Sequence, residues 1–347
     1  MQTTWYLLIG LMLVTYAVLD GFDFGAGIMH LVVAKTDAER REVLGAIGPV
    51  WDGNEVWLIA SGGVLVFAFP RAYSAAFSGL YLPLMMVLWL LILRGLAIEF
   101  RSKVDNPLWR TGFDGMFAFA SIVMAVVLGV ALGNLVRGVP LDETGWFQED
   151  LFTNFSATGP SLGAIDVYTL AVGVFALATL AAHGATYLVW KTSGAVHHRS
   201  AAAARRLWPL VLGLGALLTA ATAATQPAHF AELTHRPWLW PLPLVAITSA
   251  ILCPRAIERG EEGRAFLFSC AFIAGLLAAT IGTLYPVLLR STVDPRYTID
   301  AFNGSSPRAT LVIGLVVWLP AMGLAIGYFA YLYRSFRGKV QAADQHY

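Results

Sequence analysis

The sequence predicts an all-α, polytopic membrane protein with nine transmembrane helices, and three observations carry that reading. Apolar residues fill 57% of the 347 positions and charged residues only 13%, against ~25% charged in a typical soluble domain. The apolar residues lie in long runs, such as Trp5–Leu19 and Leu80–Leu93, rather than in scattered amphipathic stripes. A hydrocarbon core about 30 Å thick takes about 20 mostly apolar helical residues to cross, and many segments of that length are present.

Taken in order, the expected spans are roughly 5–34, 51–70, 74–100, 113–136, 164–190, 207–225, 237–254, 265–289 and 309–333. No basic region precedes the first run and no cleavage-like site follows it, so Trp5 onward is expected to be a retained span. The sixth and seventh are the shortest or are interrupted by proline. Most connections are short; the longest, about 137–163 and 290–308, are rich in Gly, Pro, Ser, Asp and Thr.

Basic residues orient the spans, because cytoplasmic loops carry the excess of Lys and Arg. Lys35, Arg40 and Arg41 fall in the first connection, and Arg101, Lys103 and Arg110 in the third. The fifth holds Lys191, Arg199, Arg205 and Arg206, the seventh Arg255, Arg259 and Arg264, and the tail Arg334, Arg337 and Lys339. Arg71, Arg137, Arg236, Arg290, Arg296 and Arg308 are left for the other side, and Arg94 lies within a span. The expectation is an outer N-terminus and a cytoplasmic C-terminus, which requires an odd number of spans. A net charge of +1 gives no sign of nucleic-acid binding.

Ionisable groups inside a span are costly and are functional candidates by default. Asp20, Asp23, Asp52, Glu55, Arg94 and Glu99 all fall in the first three spans, whereas the later spans are nearly free of charge. Asp20 lies fifteen residues after Trp5, about 22 Å along a helix, which places it in the cytoplasmic half. Asp52 and Glu55 open the second span from that side, and Arg94, Glu99 and Lys103 close the third there. Groups so placed could relay protons inward from the cytoplasm.

Asp20 and Asp23 share one helix face. Two carboxylates in a low-dielectric site do not easily both ionise, so at least one of the two pKa values should rise. Arg94 is the evident countercharge. Two readings of the Asp20/Asp23/Arg94 group stay open: a buried ion pair that sets helix register, and a proton-bearing site. For Asp52 and Glu99, at the cytoplasmic mouth, proton conduction is the expectation. The pairs Gly21/Gly25, Gly62/Gly63 and Gly129/Gly133 are expected to let helices approach closely.

Of seven histidines, only His30 and His183 fall within expected spans; His197, His198, His229, His235 and His346 do not. A lone histidine at a helix end is more often a hydrogen-bonded structural residue than an axial ligand. With no Cys-x-x-Cys-His site, no haem, other redox centre or catalytic residue is expected in this chain. Cys253 and Cys270 form no Cys-x-x-Cys pair, so no metal site or disulfide framework is expected.

Two ordered motifs stand out, Asp20-Gly21-Phe22-Asp23-Phe24-Gly25-Ala26-Gly27 and, most specifically, Gly48-Pro49-Val50-Trp51-Asp52-Gly53-Asn54-Glu55-Val56-Trp57-Leu58, and both resemble subunit II of cytochrome bd-type quinol oxidases. Ala75 to Gly79, Arg94-Gly95, Glu99 to Lys103, and Gly129 to Leu135 with Gly138-Val139-Pro140 add to them. Beyond about residue 140 the likeness rests on length, span pattern and Tyr285-Pro286.

The resemblance implies two four-helix bundles plus one peripheral helix. The domains are then 1–140, a first bundle with the ionisable cluster; 141–290, a second bundle serving as scaffold; and 291–347, an outer loop, ninth helix and cytoplasmic tail. It implies a bacterial inner-membrane heterodimer with a subunit I that carries haems b558, b595 and d and oxidises quinol, often joined by a small single-helix subunit. The complex would reduce O2 to water and build proton-motive force without pumping. Asp52 matches the family acid on a proton path, Lys103 the basic residue at its mouth, and Glu99 stands where some relatives have Asp. Trp57 would border an oxygen route, and a structural quinone can be held in this subunit at residues no motif assigns. The competing class is a proton-coupled membrane transporter, which would place its acids around a cavity at mid-depth.

Overall fold

The computed structural model describes residues 1–158 and 162–340, so His346 lies outside the described residues. Twelve helices follow in order: α1 (Gln2–Val33), α2 (Asp37–Ile47), α3 (Trp51–Ala68), α4 (Pro70–Gly79), α5 (Tyr81–Phe100) and α6 (Pro107–Arg137). Then come α7 (Val167–Lys191), α8 (Gly194–Thr225), α9 (Pro227–His235), α10 (Pro241–Glu258), α11 (Glu262–Leu284) and α12 (Arg308–Ser335). A short antiparallel pair, β1 (Val287–Leu289) and β2 (Ile299–Asp300), lies between the last two helices.

Among the described residues, eight elements are long and apolar enough to cross a bilayer: α1, α5, α6, α7, α8, α10 with the turn before it, α11 and α12. The expected second span, α3, has 18 residues but is not among them. Asp52, Asn54 and Glu55 in its opening turns offset its apolar second half. The expected nine spans are thus eight by length and composition.

Several boundaries differ for local reasons. The connection at 35–50 holds α2, whose capping box pairs Thr36 and Glu39 and satisfies the first free N–H groups. The third expected span is two helices, interrupted at Leu80 after Gly79. α8 starts at Gly194 rather than 207, because its first turns carry His197, His198, Arg199, Arg205 and Arg206, and polar helix escapes a hydropathy reading. α11 stops at Leu284 rather than 289, where Pro286 lacks an N–H and residues 287–289 pair with β2.

α1 is the hub, packed against α3, α6, α7 and α11. A Cβ on Gly25 would sit 2.6 Å from Gly184 Cα on α7, and one on Gly129 would sit 2.6 Å from Gly173 Cα. Only glycine allows these backbones to touch, as expected for Gly25 and Gly129. Gly62 and Gly63 do not serve that purpose within this chain, since a Cβ on either meets nothing within 4 Å. α12 is held loosely: Leu311 and Leu332 are its only buried residues, and Trp5 Nε1 donates to Leu311 O at 3.0 Å.

Candidate functional site

The site lies toward the α2 end of the helices, where α1, α3 and α5 meet. The one-turn spacing of Asp20 and Asp23 on α1 turns both carboxyls inward, and both are fully buried. Arg94 of α5 is equally buried and divides its guanidinium between two acids. Its Nη1 donates to Asp20 Oδ1 at 2.6 Å and its Nη2 to Glu55 Oε1 at 2.5 Å. The same guanidinium lies 4.0 Å from the centre of the Phe24 ring, which completes its apolar enclosure.

Asp23 has no direct cationic partner among the described residues. Asn54 of α3 donates from Nδ2 to Asp23 Oδ2 at 2.8 Å, and its own Oδ1 accepts from the Tyr333 hydroxyl at 3.0 Å. Asp23 Oδ1 is buried with no donor among the described residues, and the Tyr16 hydroxyl lies beside the Asp20 carboxyl. Three carboxyls therefore surround one guanidinium. Full ionisation would leave two negative charges uncompensated among apolar side chains, which costs several kcal/mol per ion.

The other expected residues are arranged differently. Asp52 is exposed and, among the described residues, accepts only the N–H of Gly53, at 2.7 Å. Glu99 and Lys103 are exposed, and none of the three makes an ion pair among the described residues. Trp57 is buried on α3 and tilts against Phe329 of α12, with ring centres 5.5 Å apart. The structure thus brings Asp20, Glu55 and Arg94 into contact, reaches Asp23 through Asn54, and leaves Asp52, Glu99 and Lys103 at the surface.

A second buried cluster escaped the sequence reading. Asp114, two turns into α6, accepts from His30 Nε2 at 2.6 Å, Arg101 Nε at 2.6 Å and Arg40 Nη1 at 2.9 Å. Arg101 also reaches Asp37, which Arg41 and Arg110 flank. His30 is accordingly a hydrogen-bonded structural residue. So is His183, placed between Ser269 Oγ and Val18 O and stacked on Phe266. Among the described residues, no group of three or more His, Cys, Asp or Glu is placed to hold a metal ion.

At the opposite end, Arg137 closes α6 and binds Glu149 at 2.5 Å, Asn134 Oδ1 at 2.6 Å, and Asp166, the N-cap of α7. Burial pushes the Glu149 carboxyl up to about 7 in spite of the Arg137 guanidinium beside it. Later helices are therefore not free of buried charge. Arg137 and Asp166 sit at helix ends and Glu149 in the connection between them, which a reading confined to apolar runs passes over.

Residues 1–336 match the family described as cytochrome bd terminal oxidase subunit II. The chain is 29% identical to cytochrome bd-I ubiquinol oxidase subunit 2 of Escherichia coli K12, across 98% of this chain and 95% of that one. It is 30% identical to cytochrome bd ubiquinol oxidase subunit 2 of Bacillus subtilis 168, across 97% and 96%. The fold matches a chain of the bd oxidase from Geobacillus thermodenitrificans with a TM-score of 0.76, at 20% identity, covering 96% of this chain and 98% of that one.

Proposed function

The chain belongs to the cytochrome bd terminal oxidase subunit II family, and from that premise we propose that it lines a proton-uptake path serving a haem-bearing partner. It is a multi-pass inner-membrane subunit of a ubiquinol-oxidising oxidoreductase complex, and the family implies a partner subunit I that carries the haems. The finer reading is that haems b558, b595 and d and quinol oxidation reside in subunit I, with a small single-helix subunit alongside. The N-terminus faces outward and the α2 end the cytoplasm, as the lysine and arginine count favours. On that orientation α3 serves as a ninth span, shielded by neighbours, and the helices form two bundles with α12 peripheral.

The observation that carries the proton role is the cluster of three carboxyls around one guanidinium. A buried acid without a cation of its own holds a proton more cheaply than a charge. We assign that proton to Asp23, with Asp20 and Glu55 as the carboxylates that balance Arg94. Asp52, Glu99 and Lys103 then stand as the surface groups that collect protons. The transporter reading is set aside, because the acids gather near one end of the helices and the family is a respiratory one.

The face offered to subunit I is that of α3 and α5. Asp52, Val56, Ile59, Gly63 and Val66 form an exposed stripe on α3, and Trp89, Ile92, Leu96 and Glu99 one on α5. Charged ends on an otherwise apolar face are costly against lipid, and a protein partner relieves that cost. The open space at Gly62 and Gly63 admits a helix from that partner. Trp57, just behind this face, borders the proposed oxygen route. The apolar cleft between α5, α6 and α7 has about 60 Å³, against the about 300–1,000 Å³ of usual small-molecule sites, so the structural quinone is not placed there.

The test is Asp52→Asn in the assembled complex. Turnover should fall about tenfold or more while the haem spectrum stays at wild-type intensity. Full activity would remove Asp52 from the path.

A further inference from the structure

A cavity of about 280 Å³ opens at the α2 end, and Asp52 is not among its lining residues. Its walls are the turn at Pro49 and Val50, the end of α7 at Tyr187 and Lys191, and the end of α12 at Tyr333 with Arg337 just beyond. Two tyrosines close its inner end. The Tyr187 hydroxyl donates to Ala46 O at 2.7 Å, and its ring stacks on Phe22 with centres 4.0 Å apart. The Tyr333 hydroxyl donates to Asn54 Oδ1 at 3.0 Å, and Asn54 in turn holds Asp23 at 2.8 Å. One phenol and one amide therefore separate a cytoplasm-facing cavity from the buried acid that lacks a cation.

We infer that this cavity is an aqueous entrance through which Asp23 exchanges its proton with the cytoplasm, with Tyr333 as its gate and Asn54 as the positioning residue. The inference rests on the proposed proton role of this chain and adds a route that does not pass through Asp52. Residues two apart on a helix point to nearly opposite sides. Asn54 faces Asp23 of α1 and Tyr333 of α12, whereas Asp52 lies on the exposed stripe of α3.

An amide cannot relay a proton, since it has no site that both takes one up and gives one up readily. Asn54 instead fixes the distance between Tyr333 and Asp23. When the Tyr333 hydroxyl swings off Asn54 Oδ1, water from the cavity reaches the Asp23 carboxyl. A hydronium ion gives its proton to a carboxylate oxygen of Asp23, leaving water and a neutral acid, and the reverse step restores the carboxylate. Asp20, Glu55, Arg94, Tyr187 and Tyr333 are the ionisable groups around it.

The experiment uses the intact oxidase complex carrying Ser335→Cys, at an exposed position on the cavity wall. Turnover is measured before and after reaction with a bulky charged thiosulfonate, and labelling of the introduced thiol is confirmed by mass. The complex without that thiol, whose Cys253 is buried and Cys270 half-buried, is the control. Labelling should slow turnover about tenfold and slow deuterium exchange of the Asp23 carboxyl, followed by its infrared C=O band and identified by loss in Asp23→Asn. Complete labelling with unchanged turnover and exchange overturns the entrance, and the proton role survives if Asp52→Asn or Asp23→Asn is impaired. Full turnover in both of those variants overturns the proton role itself.

Discussion

Two buried ionic clusters at the same end of the molecule differ in the ratio of cations to acids. Around Asp114, one carboxylate faces Arg101, Arg40 and His30. Around Arg94, one guanidinium faces Asp20 and Glu55, with Asp23 behind them. The first has its one carboxylate matched by two guanidinium groups. It ties α1, α2, α5 and α6 together. The second is short of positive charge, so one acid can be neutral or ionised with modest change elsewhere. Saturation fits the structural role proposed for the first cluster, and shortage fits the proton role proposed for the second.

The contrast breaks first, and hardest, at Asp114. Replacing it with alanine leaves Arg101, only 1% exposed, as a buried cation with no buried anion. Removing one partner of a buried pair costs about 3–5 kcal/mol. Asp114→Ala should therefore lower the melting temperature of the complex sharply or abolish its assembly, read as the yield of haem-bearing complex. A variant that assembles and melts normally would show that the cluster is not structural.

A smaller pair of effects sharpens the comparison within the Arg94 cluster. Asp20→Asn removes one of two carboxylates from a buried guanidinium and should cost about 1–3 kcal/mol, read as reduced assembly. Asp23→Asn replaces an acid already taken to be neutral with an amide of the same shape, so melting should hardly change while turnover falls. Equal losses of stability in the two variants would mean that Asp23 is ionised and paired, and the proposed division of roles would fail.

The sequence made most of this legible where the signal was local. Long apolar runs located the helices, and charges inside those runs located Asp20, Asp23, Glu55 and Arg94. Signals at helix ends are weaker: Asp114 and Arg137 border polar connections, and Arg101 sits among the loop cations in sequence although Asp114 draws it inward. The amphipathic α2 and the polar first half of α8 were missed for the same reason. The Tyr333–Asn54–Asp23 chain needs α12 to lie against α3, a contact between positions 279 residues apart that no local pattern encodes. The spacing of Gly62 and Gly63 suggests packing within the chain, but what packs on an open helix face depends on what lies outside it.

The smallest effect belongs to the third cluster, where Arg137 balances Glu149 and Asp166 and the ratio lies between the other two. Glu149 has its carboxyl raised from 4.5 to about 7 in the folded chain by burial. Between those values the folded state holds a proton that the unfolded chain has lost, so stability falls as pH rises through this window and levels off above it. The melting temperature of the complex should accordingly decline from about pH 4.5 to about pH 7. Glu149→Gln keeps an acceptor for Arg137 but cannot titrate, so its melting temperature should vary less with pH over the same range. If the slope is identical in both proteins, Glu149 is ionised throughout, and Arg137 satisfies its two acids as fully as Asp114 is satisfied by its cations.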